Sequence, residues 1–166
     1  YISKVFYAPG IYSEDFEPMR FMEQFMTGQK SPYFQKLREE NGLVYSLDVS
    51  GMGGIYSGFL SFNAITSPEN ENRVMDAIDD VIAIIKNGDF HNSYLAEIKN
   101  NIKFQHAQSI VKNDFHAFNL SLEEALAFPF KNYLSFPAIV DSINKDKIEQ
   151  LAETYLSDGL WLISRS

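Results

Sequence analysis

The amino-acid sequence predicts an α+β domain in which helices pack on one face of a mainly antiparallel sheet. Segments with alternating apolar residues, typical of strands, occur near both ends of the chain and on either side of a glycine-rich turn at 51–54. Segments with apolar residues every three or four positions, typical of helices, fill most of the rest. The predicted order is a strand, two helices, a hairpin, three or four helices and a final strand, without an internal repeat.

Length and composition limit the class of protein. With 166 residues and 45% hydrophobic content, the chain is predicted to form one domain, 1–166, with a full core. Its 22 acidic and 14 basic residues give a net charge of −8, which argues against a nucleic-acid binder because such proteins neutralise phosphates. The absence of cysteine excludes disulfides, cysteine metal sites and a cysteine nucleophile.

The longest apolar run and the first residue give two further expectations. The run at 81–85 is far too short to span a membrane. The first residue is Tyr1 rather than methionine, so we interpret the sequence as a segment of a longer polypeptide. Nothing in it indicates a cellular compartment.

The first predicted elements are a strand over 4–8 and a helix that Ser13 caps and Gly28 ends. The apolar stripe of that helix, which we expect to fill the core, is Phe16, Met19, Met22 and Met26.

A helix–turn–strand unit at 31–50 is the best-defined local structure. Ser31 can cap a helix that begins at Pro32, and Asn41-Gly42 supplies the left-handed residue that ends it. Alternation in the following strand places four residues on one face: Leu43, Tyr45, Leu47 and Val49. A second strand over 55–66 should pair with it as an antiparallel hairpin. One face of this strand is predicted to carry Tyr56, Leu60, Phe62 and Ala64.

The second half of the chain is predicted to be mostly helical. A helix starts at Ser67-Pro68 and ends at Gly88, with Val74, Ile78, Val81, Ile82 and Ile85 inward. Another runs from Ser93 to about 112 with Leu95, Ile98 and Ile102 inward. A third, from Asp114 to Pro129, carries an apolar stripe of Phe115, Phe118, Leu122 and Leu126. Residues 130–140 are expected to be a loop, 145–156 a helix and 160–164 a strand.

Most polar residues lack the spacing of a reactive site. His91, His106 and His116 match no zinc motif, and we expect each to be at the surface or lightly buried. The neighbouring acids Glu39-Glu40 and Glu123-Glu124 point in different directions on a helix, so solvated faces explain them better than acid–base catalysis. No nucleophile signature is present.

The candidate site is the pair Arg38 and Tyr45, which the tight turn between helix and strand can aim at one point. A guanidinium and a phenol can together bind a peptide carbonyl or stabilise an oxyanion, but neither is a base at neutral pH. They are therefore auxiliary groups for a reaction whose nucleophile lies elsewhere. By spacing alone, the favoured explanation of the two residues is structural: a surface ion pair of Arg38 with Glu39 or Glu40, and a core tyrosine.

The segment Leu37-Arg-Glu-Glu-Asn-Gly-Leu-Val-Tyr-Ser46, after Ser31-Pro-Tyr-Phe, resembles the C-terminal domain of the insulinase/pitrilysin (M16) family of zinc peptidases. The likeness extends over nearly the whole chain. It implies a substrate-binding domain that lines a peptide chamber, with Arg38 and Tyr45 contacting substrate. It also implies that zinc, bound by an H-x-x-E-H motif, belongs to a partner domain or subunit. This chain lacks that motif, so alone it is expected to be inactive, with no metal or cofactor of its own.

A second hypothesis keeps the same fold but not the activity. The chain would then be a non-proteolytic scaffold or partner subunit, with Arg38 and Tyr45 kept only as structure. A plain α+β binding module is a third.

Overall fold

The computed structural model describes residues 1–27, 30–40, 42–129 and 131–165, with the backbone alone for 38–40. The strands are β1 (Ile2–Pro9), β2 (Ser46–Gly53), β3 (Ser57–Ile65) and β4 (Leu160–Ile163). The helices are α1 (Phe16–Thr27), α2 (Pro32–Phe34), α3 (Glu71–Lys86), α4 (Asn92–Ser109), α5 (Asn113–Ala125), α6 (Phe136–Ser142) and α7 (Lys145–Tyr155). A π-helical segment (Gln35–Glu40) extends α2, and short 3₁₀ turns span Pro68–Asn70 and Asn132–Ser135.

The four strands form one antiparallel sheet in the order β2-β3-β1-β4. The hairpin β2–β3 pairs Val49 with Phe62, and β1 pairs Phe6 with Leu60. These four residues are all buried under the helices. The prediction of an α+β fold with helices on one face of the sheet is confirmed.

Aromatic packing joins α2 to the sheet. Tyr33 is fully buried, its ring meets Phe62 edge to face at 5.2 Å, and its hydroxyl donates to the carbonyl of Asn63 at 2.8 Å. Burial raises the pKa of Tyr33, so its phenol remains a neutral donor. This bond fixes the start of the helix–turn–strand unit on β3.

The predicted start of the first helix is wrong by two residues. α1 begins at Phe16, and Ser13 lies in a preceding turn where its hydroxyl accepts from the amide of Asp15 at 3.2 Å. Gly28, its predicted end, lies outside the described residues. The predicted stripe is confirmed, since Met19, Met22 and Met26 are buried and Phe16 half-buried. Ser67 likewise makes no capping bond to the helical turn that it precedes.

The hairpin turn lies later than predicted. β2 continues through Gly53, and the turn comprises residues 54–56. A side chain at Gly53 would overlap the ring of Phe16 on α1, so glycine here permits close packing of helix and strand rather than a turn. Tyr56, predicted to share a strand face with Leu60, lies in the turn and is 90% exposed.

The predicted helices around 67–112 and 145–156 and the final strand are confirmed, and the inward residues predicted for the helices around 67–112 are buried. The predicted loop at 130–140 is wrong, because α6 begins at Phe136 with a proline in its first turn. Proline lacks an amide hydrogen, but the first helical turn leaves its amides unpaired and therefore tolerates it. The helix predicted from Asp114 to Pro129 is present as α5 but ends at Ala125, and Phe118 and Leu122 of its apolar stripe are exposed.

Candidate functional site

The helix that carries Arg38 starts as predicted. The hydroxyl of Ser31 accepts from the amide of Phe34 at 3.0 Å, and Pro32 occupies the first helical turn. Buried Leu37 anchors the π-helical continuation to the core. The backbone of Arg38 lies in this segment, while its side chain is outside the described part of the structure.

A left-handed turn follows the helix. Gly42 has a φ of 56°, as predicted for the residue that ends it, whereas Asn41 lies outside the described residues. The amide of Leu43 then donates to the carbonyl of Leu37 at 3.0 Å, which closes the turn. Leu43 is buried, so the chain leaves this turn in a fixed direction.

Tyr45 lies before β2, not within it, so the prediction that it shares a strand face with Leu47 and Val49 is wrong. Its side chain is 76% exposed. Its amide nevertheless donates to the carbonyl of Ile65 at 2.8 Å, and Thr66 Oγ1 donates to the carbonyl of Leu43 at 2.5 Å. Residues at the end of β3 thus fix the backbone of residues 43–45, while the phenol of Tyr45 remains accessible.

The two predicted site residues are therefore close in the chain, on either side of one short turn. The structure describes an exposed Tyr45 and a helical backbone at Arg38. That their polar groups converge on one point remains a prediction.

The helix-free face of the sheet next to this turn carries a hydrogen-bonded polar group that sequence reasoning missed. Asn63 Oδ1 accepts from Tyr1 Oη and Ser3 Oγ, both at 2.8 Å, and Asn63 Nδ2 donates to Ser50 Oγ at 3.0 Å and Ser61 Oγ at 3.1 Å. The register of the paired strands brings these residues together. No local sequence motif indicates this arrangement. Exposed apolar side chains surround this group: Tyr7, Met52, Phe59, Ile65, Leu160 and Leu162.

No group of three or more His, Asp or Glu side chains able to hold a metal occurs among the described residues. Zinc therefore has no fitting donor set in this part of the chain. His91 is exposed, His106 is half-buried, and burial lowers the pKa of His106. His116 Nε2 lies 2.7 Å from the carbonyl of Ile110.

Glu123 contradicts the expectation of a solvated face. It is only 6% exposed, and its two oxygens accept from the amides of Lys131 and Tyr133, both at 2.7 Å. Its neighbour Glu124 is exposed as expected. The sequence gives no signal of this, because the partners are backbone amides of a later segment.

No helix among the described residues is long and apolar enough to cross a membrane.

Comparison with solved structures shows the same fold in proteins of low sequence identity. A protease from Helicobacter pylori matches with a TM-score of 0.83 and 14% identity over 98% of this chain and 41% of its own. The peptidase M16 inactive domain from Pseudomonas fluorescens matches with 0.81 and 15% identity over 94% and 38%. A chain of complex III2 from Candida albicans matches with 0.78 and 10% identity over 96% and 41%.

The chain therefore spans about two fifths of the length of the Helicobacter pylori protease. No curated protein matches it in sequence. The sequence model of the peptidase M16 inactive domain matches residues 1–102, which is more than half of the 166-residue chain and includes the whole helix–turn–strand unit. The chain belongs to the peptidase M16 family, as its inactive, C-terminal type of domain.

Proposed function

We propose that this chain is the substrate-binding half of an M16-type zinc endopeptidase, that it lines the peptide chamber, and that it supplies Arg38 and Tyr45 to the active site. The observation that carries the proposal is the exposed phenol of Tyr45, whose backbone amide is hydrogen-bonded to the end of β3 one short turn after the helix of Arg38. A core tyrosine, the simplest structural explanation, would be buried.

The proposed roles follow from the chemistry of the two groups. Arg38 would bind a main-chain or carboxylate oxygen of the peptide, because a guanidinium keeps its charge and donates several hydrogen bonds. Tyr45 would donate to the carbonyl next to the scissile bond, where negative charge develops during hydrolysis. Neither group can attack the peptide, so the zinc ion and general base would belong to another domain or subunit.

The helix-free sheet face supports the proposed chamber wall. Its hydrogen-bonded polar group and surrounding apolar side chains present both kinds of contact that an extended peptide needs. It also ends at β2, beside Tyr45.

The experiment combines this chain with its zinc-bearing partner domain and follows cleavage of a quenched fluorescent peptide. Arg38→Ala should lower kcat/KM on the order of 100-fold, the usual effect of removing one transition-state donor. Arg73→Ala is the matched control, since Arg73 is exposed on α3 and donates to Asn70 of the preceding turn at 3.1 Å. Equal activity of both variants would contradict the proposal, as would stoichiometric zinc bound by this chain alone.

The rival function is a non-proteolytic scaffold or partner subunit. The similarity to a chain of complex III2, at a TM-score of 0.78, favours it as the second candidate. In that case Arg38→Ala and Tyr45→Phe would alter assembly or stability but no peptide-cleavage rate.

A further inference from the structure

A cleft of about 650 Å³ lies at the end of the sheet opposite Tyr45. Its lining residues come from α1, the β2–β3 turn, α4, α5 and residues 132–136, together with Ile11, Gly53, Leu126 and Phe128. β2, with 8 residues, separates this end from Tyr45 by roughly 25 Å, so the cleft is distinct from the candidate site. Small-molecule sites commonly measure about 300–1,000 Å³.

The apolar stripe of α5 faces this cleft. Its four residues, Phe115, Phe118, Leu122 and Leu126, recur at helical spacing and all belong to the lining. Phe118 and Leu122 are exposed, at 68% and 43%, while Phe115 and Leu126 are half-buried. An ordered apolar stripe exposed in a concave site is typical of a binding surface.

Contacts at the C-terminal end of α5 keep the cleft open. Tyr12 Oη donates to the carbonyl of Leu126 at 2.9 Å, and the ring of Tyr12 meets Phe128 edge to face at 5.4 Å. The buried carboxylate of Glu123 holds the backbone of the following segment. The cleft is therefore built into the fold, and α5 cannot collapse onto α1 without breaking these contacts.

The inner wall is aromatic. His106 on α4 lies between the rings of Phe115 and Phe136, at centroid distances of 5.9 and 5.8 Å. Phe115 also meets Tyr133 edge to face at 5.6 Å. Such a wall offers a large apolar contact area to a ligand.

The charged side chains of the lining are already paired. Both carboxylate oxygens of Glu17 accept from Arg20 Nη1, at 3.1 and 2.9 Å, and both oxygens of Glu123 accept from backbone amides. Burial lowers the pKa of His106, which favours its neutral form at pH 7. A charged ligand would lose its hydration in the cleft. It would find no unpaired opposite charge in the lining to compensate for that loss.

We infer that this cleft binds a small, uncharged and largely apolar molecule. Its body contacts the α5 stripe and the aromatic wall. Its polar group hydrogen-bonds one of the four amide side chains of the lining: Gln24, Gln105, Asn119 or Asn132. The charge balance of the lining favours this ligand over a fatty acid or an amine.

The first test titrates the 166-residue chain with the neutral fluorescent probe N-phenyl-1-naphthylamine. Binding should saturate at one probe per chain. Phe118→Gln should raise Kd at least about fivefold, because it removes apolar contact area. The matched control is Phe104→Gln, since Phe104 is 63% exposed on α4 but does not line the cleft. Unsaturable binding, or an equal effect of the two substitutions, would overturn the inference.

The second test displaces the probe with three molecules of equal chain length: 1-octanol, octanoate and octylammonium. Octanol should displace it at about tenfold lower concentration than either ion, because a charge loses its hydration in the cleft without a partner. Displacement by octanoate or octylammonium at the concentration of octanol or below would contradict the neutral ligand. Analytical sedimentation tests whether a second copy of the chain occupies the cleft instead. A dimer that dissociates on Phe118→Gln substitution would assign the cleft to a second copy and contradict the small-molecule ligand.

Discussion

The backbone amide of Tyr45 donates a 2.8 Å hydrogen bond to the carbonyl of Ile65, so Tyr45 is fixed to the end of β3 although it precedes β2. The next residue, Thr66, donates through its hydroxyl to the carbonyl of Leu43. The two bonds attach both ends of the segment 43–45 to the end of β3. They explain why the backbone at Tyr45 has a defined position although its side chain is largely exposed.

Thr66→Val should lower the free energy of unfolding by about 1 kcal/mol, because the half-buried carbonyl of Leu43 loses its donor. Urea denaturation measures this. Thr154→Val is the control: Thr154 is exposed on α7 and donates to a carbonyl of its own helix, so its loss should stay within about 0.5 kcal/mol. Equal losses would mean that the Thr66 hydroxyl does not hold the segment.

Glu123→Ala should destabilise the chain by about 2–3 kcal/mol, because it leaves the amides of Lys131 and Tyr133 without their carboxylate acceptor. Glu124→Ala removes an exposed carboxylate one position later and should cost little. Chemical denaturation of the two variants decides the matter. A Glu124 effect as large as that of Glu123 would show that helix charge, not the buried carboxylate, stabilises this region.

Asp15 links the turn before α1 to α7 and should make stability depend on pH. Burial tends to raise the pKa of Asp15, but hydrogen bonds from Lys147 and Tyr155 and the charge of Lys147 outweigh it and hold this pKa below its usual value of 3.8. A lowered folded-state pKa gives stability that is present above the unfolded pKa, about 3.9, and is lost as the pH falls through the folded value.

Asp15→Asn should therefore cost up to about 1 kcal/mol at pH 7, since the ion pair is partly exposed, and less as the pH falls below about 3.9. Urea denaturation across this range, with the exposed Asp158→Asn as control, measures the difference. A cost of Asp15→Asn that stays constant with pH would rule out the charge of Asp15 as its cause.

Elements that depend on local sequence could be predicted. The Ser31 cap, the left-handed Gly42 and the buried stripe of α3 are set by backbone geometry and helical period, and all three agree with the structure. Antiparallel pairing of β2 with β3 followed from their short connection.

Features that depend on distant partners could not be predicted. Gly53 lies in a strand against which the ring of Phe16 packs closely. Glu123 is buried because backbone amides of a later segment donate hydrogen bonds to its carboxylate. The apolar stripe of α5 has the period of a core helix, yet period alone does not distinguish a core from a cleft. Tyr45 does not lie on the predicted strand face, because the irregular segment that begins at Gly42 continues to the start of β2 at Ser46.

The central claim is that Tyr45 contacts the peptide during its cleavage, and the most direct test is kcat/KM of Tyr45→Phe in the enzyme assembled with its zinc-bearing domain. Tyr56→Phe is the control, because Tyr56 is also an exposed tyrosine but lies at the other end of β2. We predict a loss on the order of 100-fold for Tyr45→Phe and none for Tyr56→Phe. Unchanged kcat/KM in both variants would contradict the claim.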